Sequence, residues 1–225
     1  IEVDGTPLGG RYCHVVAIGA CIDILPAGTF EQTMHDLVEQ KAMVILAHPY
    51  WCGNDIGDVQ RFPFDAIEIY NHVCDWLNGK GTSLMLWDQV LANGDSVFGI
   101  AADDAHIVPR HPGWNGGWVM VQAEALTAEA IVGSLKAGRF YATCGPSFYS
   151  IDFDGDTITC TTSPILRARL VGAGYLGERI WHEDGTAMES FSFKVSDNPR
   201  LANSAYLRVE IEDADHRRAW TNPLW

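Results

Sequence analysis

The sequence predicts an α/β fold, a parallel sheet or barrel of alternating strands and helices, followed by a small antiparallel β domain. Three observations predict it. Apolar runs at 43–47, 66–70 (broken only by Glu68) and 97–102 alternate with helical patterns, and short, largely apolar runs mark strands buried on both faces. After Gly145-Pro146 the helical pattern gives way to short apolar or alternating runs separated by Asp-Gly and Gly-rich turns, the grammar of antiparallel β structure. The length of 225 residues suits one large domain or a domain with a small companion. The expected division is 1–146 and 147–225.

Residues 12–19 (YCHVVAIG) are apolar with β-branched content and read as a strand. Thr29 followed by Gln32 matches a capping box, and Phe30, Met34, Leu37 and Val38 then recur on one helical face. Met43–Ala47 and Ala66–Tyr70 are buried strands. Residues 84–91 (LMLWDQVL) form a buried helix stopped at Gly94. Val97–Ala102 is a third buried strand and Trp118–Gln122 a fourth, and a helix from Thr127 ends at Gly138. The stretches 49–64 and 106–117 are long Gly/Pro-rich connections after strand ends, where functional loops sit. Beyond 146, strands are expected at 148–153, 157–161, 166–171, 189–195 and 205–211, with no helix.

Composition excludes several classes. Apolar residues at 47% and charged residues at 20% exclude disorder and coiled coil. No stretch approaches the ~20 apolar residues of a membrane span, so no membrane partner is expected. A net charge of −14 without a basic stripe disfavours nucleic acid. Cysteines at 13, 21, 52, 74, 144 and 160 form no C-x-x-C pair. They read as free thiols, which implies a reducing, cytoplasmic location.

Three of the apolar strands run directly into residues of metal-ligand type: Ala47-His48-Pro49, Glu68 to His72, and Asp103-Asp104-Ala105-His106. In a parallel architecture the carboxyl ends of the strands share one rim, where ligand sites form. Asp104 and His106, two apart in an extended segment, point to one face, and an acid with an imidazole can ligate one ion or two. Asp103 points the other way and reads as structural. Glu68 alone could equally accept backbone hydrogen bonds. His35, His182 and His216 read as structural or exposed, and Trp51, Trp114 and Trp118 as pocket lining or as core and loop anchors.

These segments resemble consecutive motifs of the PHP (polymerase and histidinol phosphatase) metallohydrolases: Ala47-His48-Pro49, Ile67-Glu68-Ile69-Tyr70-Asn71 and Asp103-Asp104-Ala105-His106. Ile1-Glu2-Val3 and Tyr12 to Gly19 resemble two upstream motifs. Gly138 to Pro146 and Ala219 to Pro223 resemble the carbaryl-hydrolase-like branch, which carries a β-rich extension. The resemblance implies a partial distorted (β/α)7 barrel and two or three divalent ions (Zn, Mn or Fe), with room for fewer here. It implies Glu2, His14, His48, Asp104 and His106 as metal ligands, with Glu2, Asp104 and His106 also catalytic. Glu68, Asn71 and His72 would stand behind them, and Arg110 and His111 would contact an anionic substrate or else belong to a solvated loop. The implied reaction is attack of a metal-bound hydroxide on a phosphoester, or on a carboxylic or carbamate ester, of a small molecule.

The family opens with a His-x-His pair on its first strand, and no His-x-His occurs in this sequence. The chain therefore reads as a PHP-like protein lacking its first strands, whose open sheet edge a homo-oligomer or a swapped segment could cover. An inactive PHP-like protein serving as a binding module is the alternative. An amidohydrolase barrel is a further competitor, disfavoured by the Asp-x-His ending.

Overall fold

The computed structural model describes residues 1–20 and 28–224, and Cys21 lies outside them. The chain is mixed α/β, in three sheets. The first sheet holds β1 (Glu2–Gly5), β2 (Cys13–Ile18), β3 (Met43–Ala47), β4 (Ala66–Asn71) and β5 (Phe98–Ala102) in sequential order. Only β3–β4–β5 are parallel, and β1–β2 and β2–β3 pair antiparallel. The sheet is open, and no closed barrel forms among the described residues.

Helix α1 (Phe30–Glu39) begins with the expected capping box: Thr29 accepts from the Gln32 backbone, and Gln32 bonds back to the Thr29 N–H. It lays Met34 and Leu37 on the sheet, although Val38 is left partly exposed. The connection 49–64 contains two single-turn helices, α2 (Pro49–Cys52) and α3 (Ile56–Val59). Then come α4 (His72–Asn78), which follows β4 without a turn, and α5 (Leu84–Ala92). Trp87 of α5 is fully buried and donates to the Val97 carbonyl at 2.8 Å.

The fourth strand departs from expectation. Trp118–Val121 (β6) does not extend the parallel sheet. It is the edge of a six-stranded sheet and pairs antiparallel with β7 (Phe140–Thr143) beyond α6 (Ala128–Lys136). Its side chains are half-buried or exposed, as an edge strand allows. That sheet runs on through β14 (Arg218–Thr221), β13 (Leu207–Glu212), β10 (Arg167–Gly172) and β11 (Gly177–Ile180). Hydrogen bonding is therefore continuous across residue 146, because β7 pairs directly with β14. A three-stranded sheet of β12 (Met188–Lys194), β9 (Thr157–Ile165) and β8 (Phe148–Phe153) covers one face of it. Ile158, Cys160, Leu170, Val209 and Ile211 pack between the two. Short helices do occur beyond 146: a 3-10 turn at Val195–Asp197 and α7 (Pro199–Ala202), opened by the Asn198 side chain.

Two buried polar devices join the sheets. Asn222 accepts from the Gly99 N–H at 3.0 Å, on the free edge of β5, and donates to the Gly138 and Phe140 carbonyls at 3.2 and 3.0 Å. Arg208 of β13 forms a fork onto Asp88 of α5 at 3.0 and 3.1 Å and lies over the Trp87 ring. Among the described residues no helix is long and apolar enough to cross a membrane.

Candidate metal centre

The carboxyl ends of β3, β4 and β5 share one rim because these strands are parallel, and antiparallel pairing sets His14 of β2 directly beside Ala47. Five side chains form a row along this rim. His14 Nε2 lies 3.7 Å from Glu2 Oε2. His14 Nδ1 and His48 Nε2 share a hydrogen bond of 2.8 Å. His48 Nε2 lies 4.0 Å from Asp104 Oδ2, and Asp104 Oδ1 lies 3.6 Å from His106 Nε2. The ends of the row are open: the side chains of Glu2 and His106 are 71% and 69% exposed, against 6% for His48.

The backbone at the centre is unusual. His48 has φ 29° and Asp104 has φ 55°, a left-handed region that costs residues with a Cβ roughly 1–2 kcal/mol. Each turns the chain sharply off its strand. His48 precedes Pro49 at the first position of α2, where a missing N–H costs nothing.

Behind the row sits a buried polar layer. Glu68 Oε2 accepts from the His48 backbone N–H at 2.7 Å and from Asn71 Nδ2 at 3.0 Å. Asn71 Nδ2 also lies 3.3 Å from Asp104 Oδ2, while its Oδ1 caps α4 by accepting from the Cys74 N–H at 2.9 Å. One amide thus ties together two strand ends and a helix. Burial pushes the Glu68 carboxyl up to about 7, against the hydrogen bonds from Asn71 and His48. Burial also lowers His48, which favours the neutral imidazole that ligation needs.

Two contacts had little sequence signal. Cys52 Sγ lies 3.3 Å from His48 Nδ1, and Cys74 Sγ lies 4.0 Å from Asp104 Oδ2. The spacing of four residues between His48 and Cys52 on one helical turn is the only hint. Burial pushes these thiols up to about 11 and 12, so both stay protonated at neutral pH. The cysteines at 13, 52, 74, 144 and 160 are all free.

His72 is turned away from the row, with Nδ1 3.4 Å from the Tyr70 hydroxyl and Nε2 2.8 Å from the Pro112 carbonyl. His111 packs edge-on against Trp76 at 4.5 Å, and Trp51 packs edge-on against His48 at 5.4 Å. Arg110 is exposed at φ 69° on the same loop as His111. Asp103 is structural: its carboxylate accepts the backbone N–H groups of Asn115, Gly116 and Gly117 at 2.7, 2.8 and 2.8 Å, folding that loop back on itself.

The residues form a row and not a shell. Among the described residues no group of three or more His, Cys, Asp or Glu converges tightly enough to hold an ion. The reason is local: the His14 and His48 rings bond each other and so do not face a common point. The donor chemistry still fits a divalent cation. Three imidazoles and two carboxylates line the row, the ligand types that divalent transition ions take.

Comparison with protein-family models and with curated proteins finds no match. Among solved structures, a two-domain protein from Bacteroides vulgatus containing a predicted PHP-like metal-dependent phosphoesterase is similar. The TM-score is 0.50 at 12% identity, and the match spans 99% of this chain and 73% of that one. At that identity the likeness is one of fold: this chain shares the mixed α/β architecture of a two-domain, PHP-like protein.

Proposed function

We propose that this chain is a divalent-metal-dependent hydrolase of PHP type, acting on a small phosphoester, with carboxylic and carbamate esters as the second substrate class. In this reading the five-stranded sheet is part of a distorted (β/α)7 barrel within 1–146, and residues 147–225 are a β-rich companion of the kind the carbaryl-hydrolase-like branch carries. The observation that carries it is the row Glu2–His14–His48–Asp104–His106 on the rim of the parallel strands.

His14, His48 and Asp104 would hold the ion, with Glu2 and His106 closing from the two open ends. A divalent cation there supplies Lewis acidity and an activated water at neutral pH. Were His48 to ligate through Nε2, its ring proton would sit on Nδ1, hydrogen-bonded to Cys52 Sγ 3.3 Å away. Asn71 occupies Asp104 Oδ2 and leaves Oδ1 for the ion and His106. Glu68 holds the His48 backbone in its strained turn. Arg110 and His111, on the loop that Asp103 folds, stand ready for the anionic end of the substrate.

The test is metal analysis of the purified protein, with p-nitrophenyl phosphate and p-nitrophenyl acetate assayed in added Mn²⁺ or Zn²⁺. About one transition ion or more per chain is expected, with turnover that falls roughly 100-fold or further in Asp104→Asn. Less than about one ion per chain, with turnover of neither ester, would overturn the reading. That result would favour the binding-module alternative, to which the open row and the exposure of Glu2 and His106 already lend weight.

A further inference from the structure

A second polar cluster lies far along the chain from the candidate metal centre, on the outer strands of the six-stranded sheet. Arg167 and Arg169 of β10 share one face at a two-residue spacing, and Arg179 of the edge strand β11 stands directly opposite Arg169 in the ladder. Like charges directly opposite across a β pair are destabilising unless something neutralises them. The three guanidinium groups, with Ile180 and Trp181, line a cavity of about 320 Å³.

The counter-charges on this face are few. Glu212 accepts from Arg167 and from Arg169 Nη2 at 2.7 Å, and lies 3.4 Å from Arg218. Glu210 accepts from Arg169 Nη1 at 2.8 Å and lies 3.5 Å from Arg218. Two buried carboxylates thus serve Arg167, Arg169 and Arg218, and Glu210 also lies 3.6 Å from Arg208, whose charge Asp88 matches. Arg179 has neither: among the described residues no carboxylate lies in ion-pair range of it, and its guanidinium sits 4.7 Å over the Trp181 ring. A chain with net charge −14 therefore presents a local excess of two positive charges around a concave, partly aromatic surface.

We propose that the face formed by Arg167, Arg169, Arg179 and Trp181 binds a small phosphate monoester, its dianion between the guanidinium groups and its apolar portion against the indole. The excess of two charges matches a phosphate dianion, whereas a single carboxylate would leave one cation unmatched. Arginine forks present paired N–H donors at the spacing of phosphate oxygens. Arg179, whose five side-chain N–H groups have no hydrogen-bond partner among the described residues, is the principal contact. The site is independent of the proposed hydrolytic reading.

Calorimetric titration with adenosine 5′-monophosphate, adenosine and phenyl phosphate tests it, in EDTA so that no probe is hydrolysed. Both phosphates should bind and adenosine should not. Arg179→Gln, an exposed edge substitution whose unchanged melting temperature checks its fold, should weaken both phosphates about tenfold or more. Asp104→Asn, at the other centre, should leave them unchanged. Equal binding by the Arg179→Gln variant and the parent would overturn the proposal. So would loss of binding in Asp104→Asn alone, or no binding of either phosphate at millimolar concentration.

Discussion

Glu212 offers the most direct test of how the β portion is held together. Its carboxylate is 3% exposed yet meets Arg167, Arg169, Arg218 and His216. Burial raises its pKa, but the hydrogen bonds from His216 and Arg169 and the charges of Arg169 and Arg218 outweigh burial and bring it from 4.5 to about 2. That difference favours the folded, ionised form by about 3 kcal/mol at pH 7. Glu212→Gln keeps the shape and removes the charge, so it should cost about 3 kcal/mol, within the range for breaking a buried pair. For a chain of this length that lowers the melting temperature by roughly 6–12 °C. The sign with pH follows from the depressed value. The stabilisation is full above about 4.5 and drains away as pH falls toward about 2. Urea unfolding of parent and variant should therefore differ by about 3 kcal/mol at pH 7 and by less than about 2 at pH 3. A gap that is the same at both pH values, or below about 1 kcal/mol at pH 7, refutes the reasoning. If Glu212→Gln does not fold, Arg167→Gln removes one partner from the exposed side and should show a smaller gap of the same pH sign.

Asp103→Ala should release the 103–117 loop by stripping three backbone N–H groups of their acceptor. A loss of about 2–4 kcal/mol is expected, with faster amide exchange at Asn115, Gly116 and Gly117, and unchanged exchange there would count against it. Asn222→Ala should cost about 3 kcal/mol, because it leaves buried groups at Gly99 and Phe140 without partners; a urea midpoint equal to the parent's would be the contrary result. Gly116→Ala would place a Cβ 2.1 Å from the His72 ring. It should lower the melting temperature by several degrees and break the His72–Pro112 contact, visible as a shift of the His72 ring resonances in NMR.

The parallel core was legible because β3 and β5 are uninterrupted apolar runs and β4 is broken only by Glu68 before its polar end, a pattern that burial on both faces explains. Orientation was not legible. Cys13–Ile18 alternates in burial as an antiparallel strand does, yet its composition is as apolar as its neighbours'. Trp118–Val121 carries the same apolar letters as a central strand and lies on an edge of a different sheet. The strands β11 and β14 were invisible because GERI and RAWT are only four residues long and carry charges that interrupt the apolar pattern. At the rim, sequence order alone brought His48, Asn71 and Asp104 to neighbouring strand ends. What it could not supply was their relation to one another. The bond between His14 and His48 and the amide of Asn71 spanning two carboxylates depend on side-chain directions set by the strained turns at His48 and Asp104.

Those two turns have a consequence for how this protein would respond to selection. The left-handed backbone at His48 and at Asp104 would be relaxed by glycine, or by asparagine at a smaller gain. Each such change should relieve roughly 1 kcal/mol of conformational strain. A library screened only for heat resistance would therefore drift toward glycine at both positions and erase the rim donors as it improved. The same library screened for metal retention would hold His48 and Asp104 against that drift. Stability and chemistry compete at the same two backbone angles, and the opposition would trace the rim centre from mutational preferences alone.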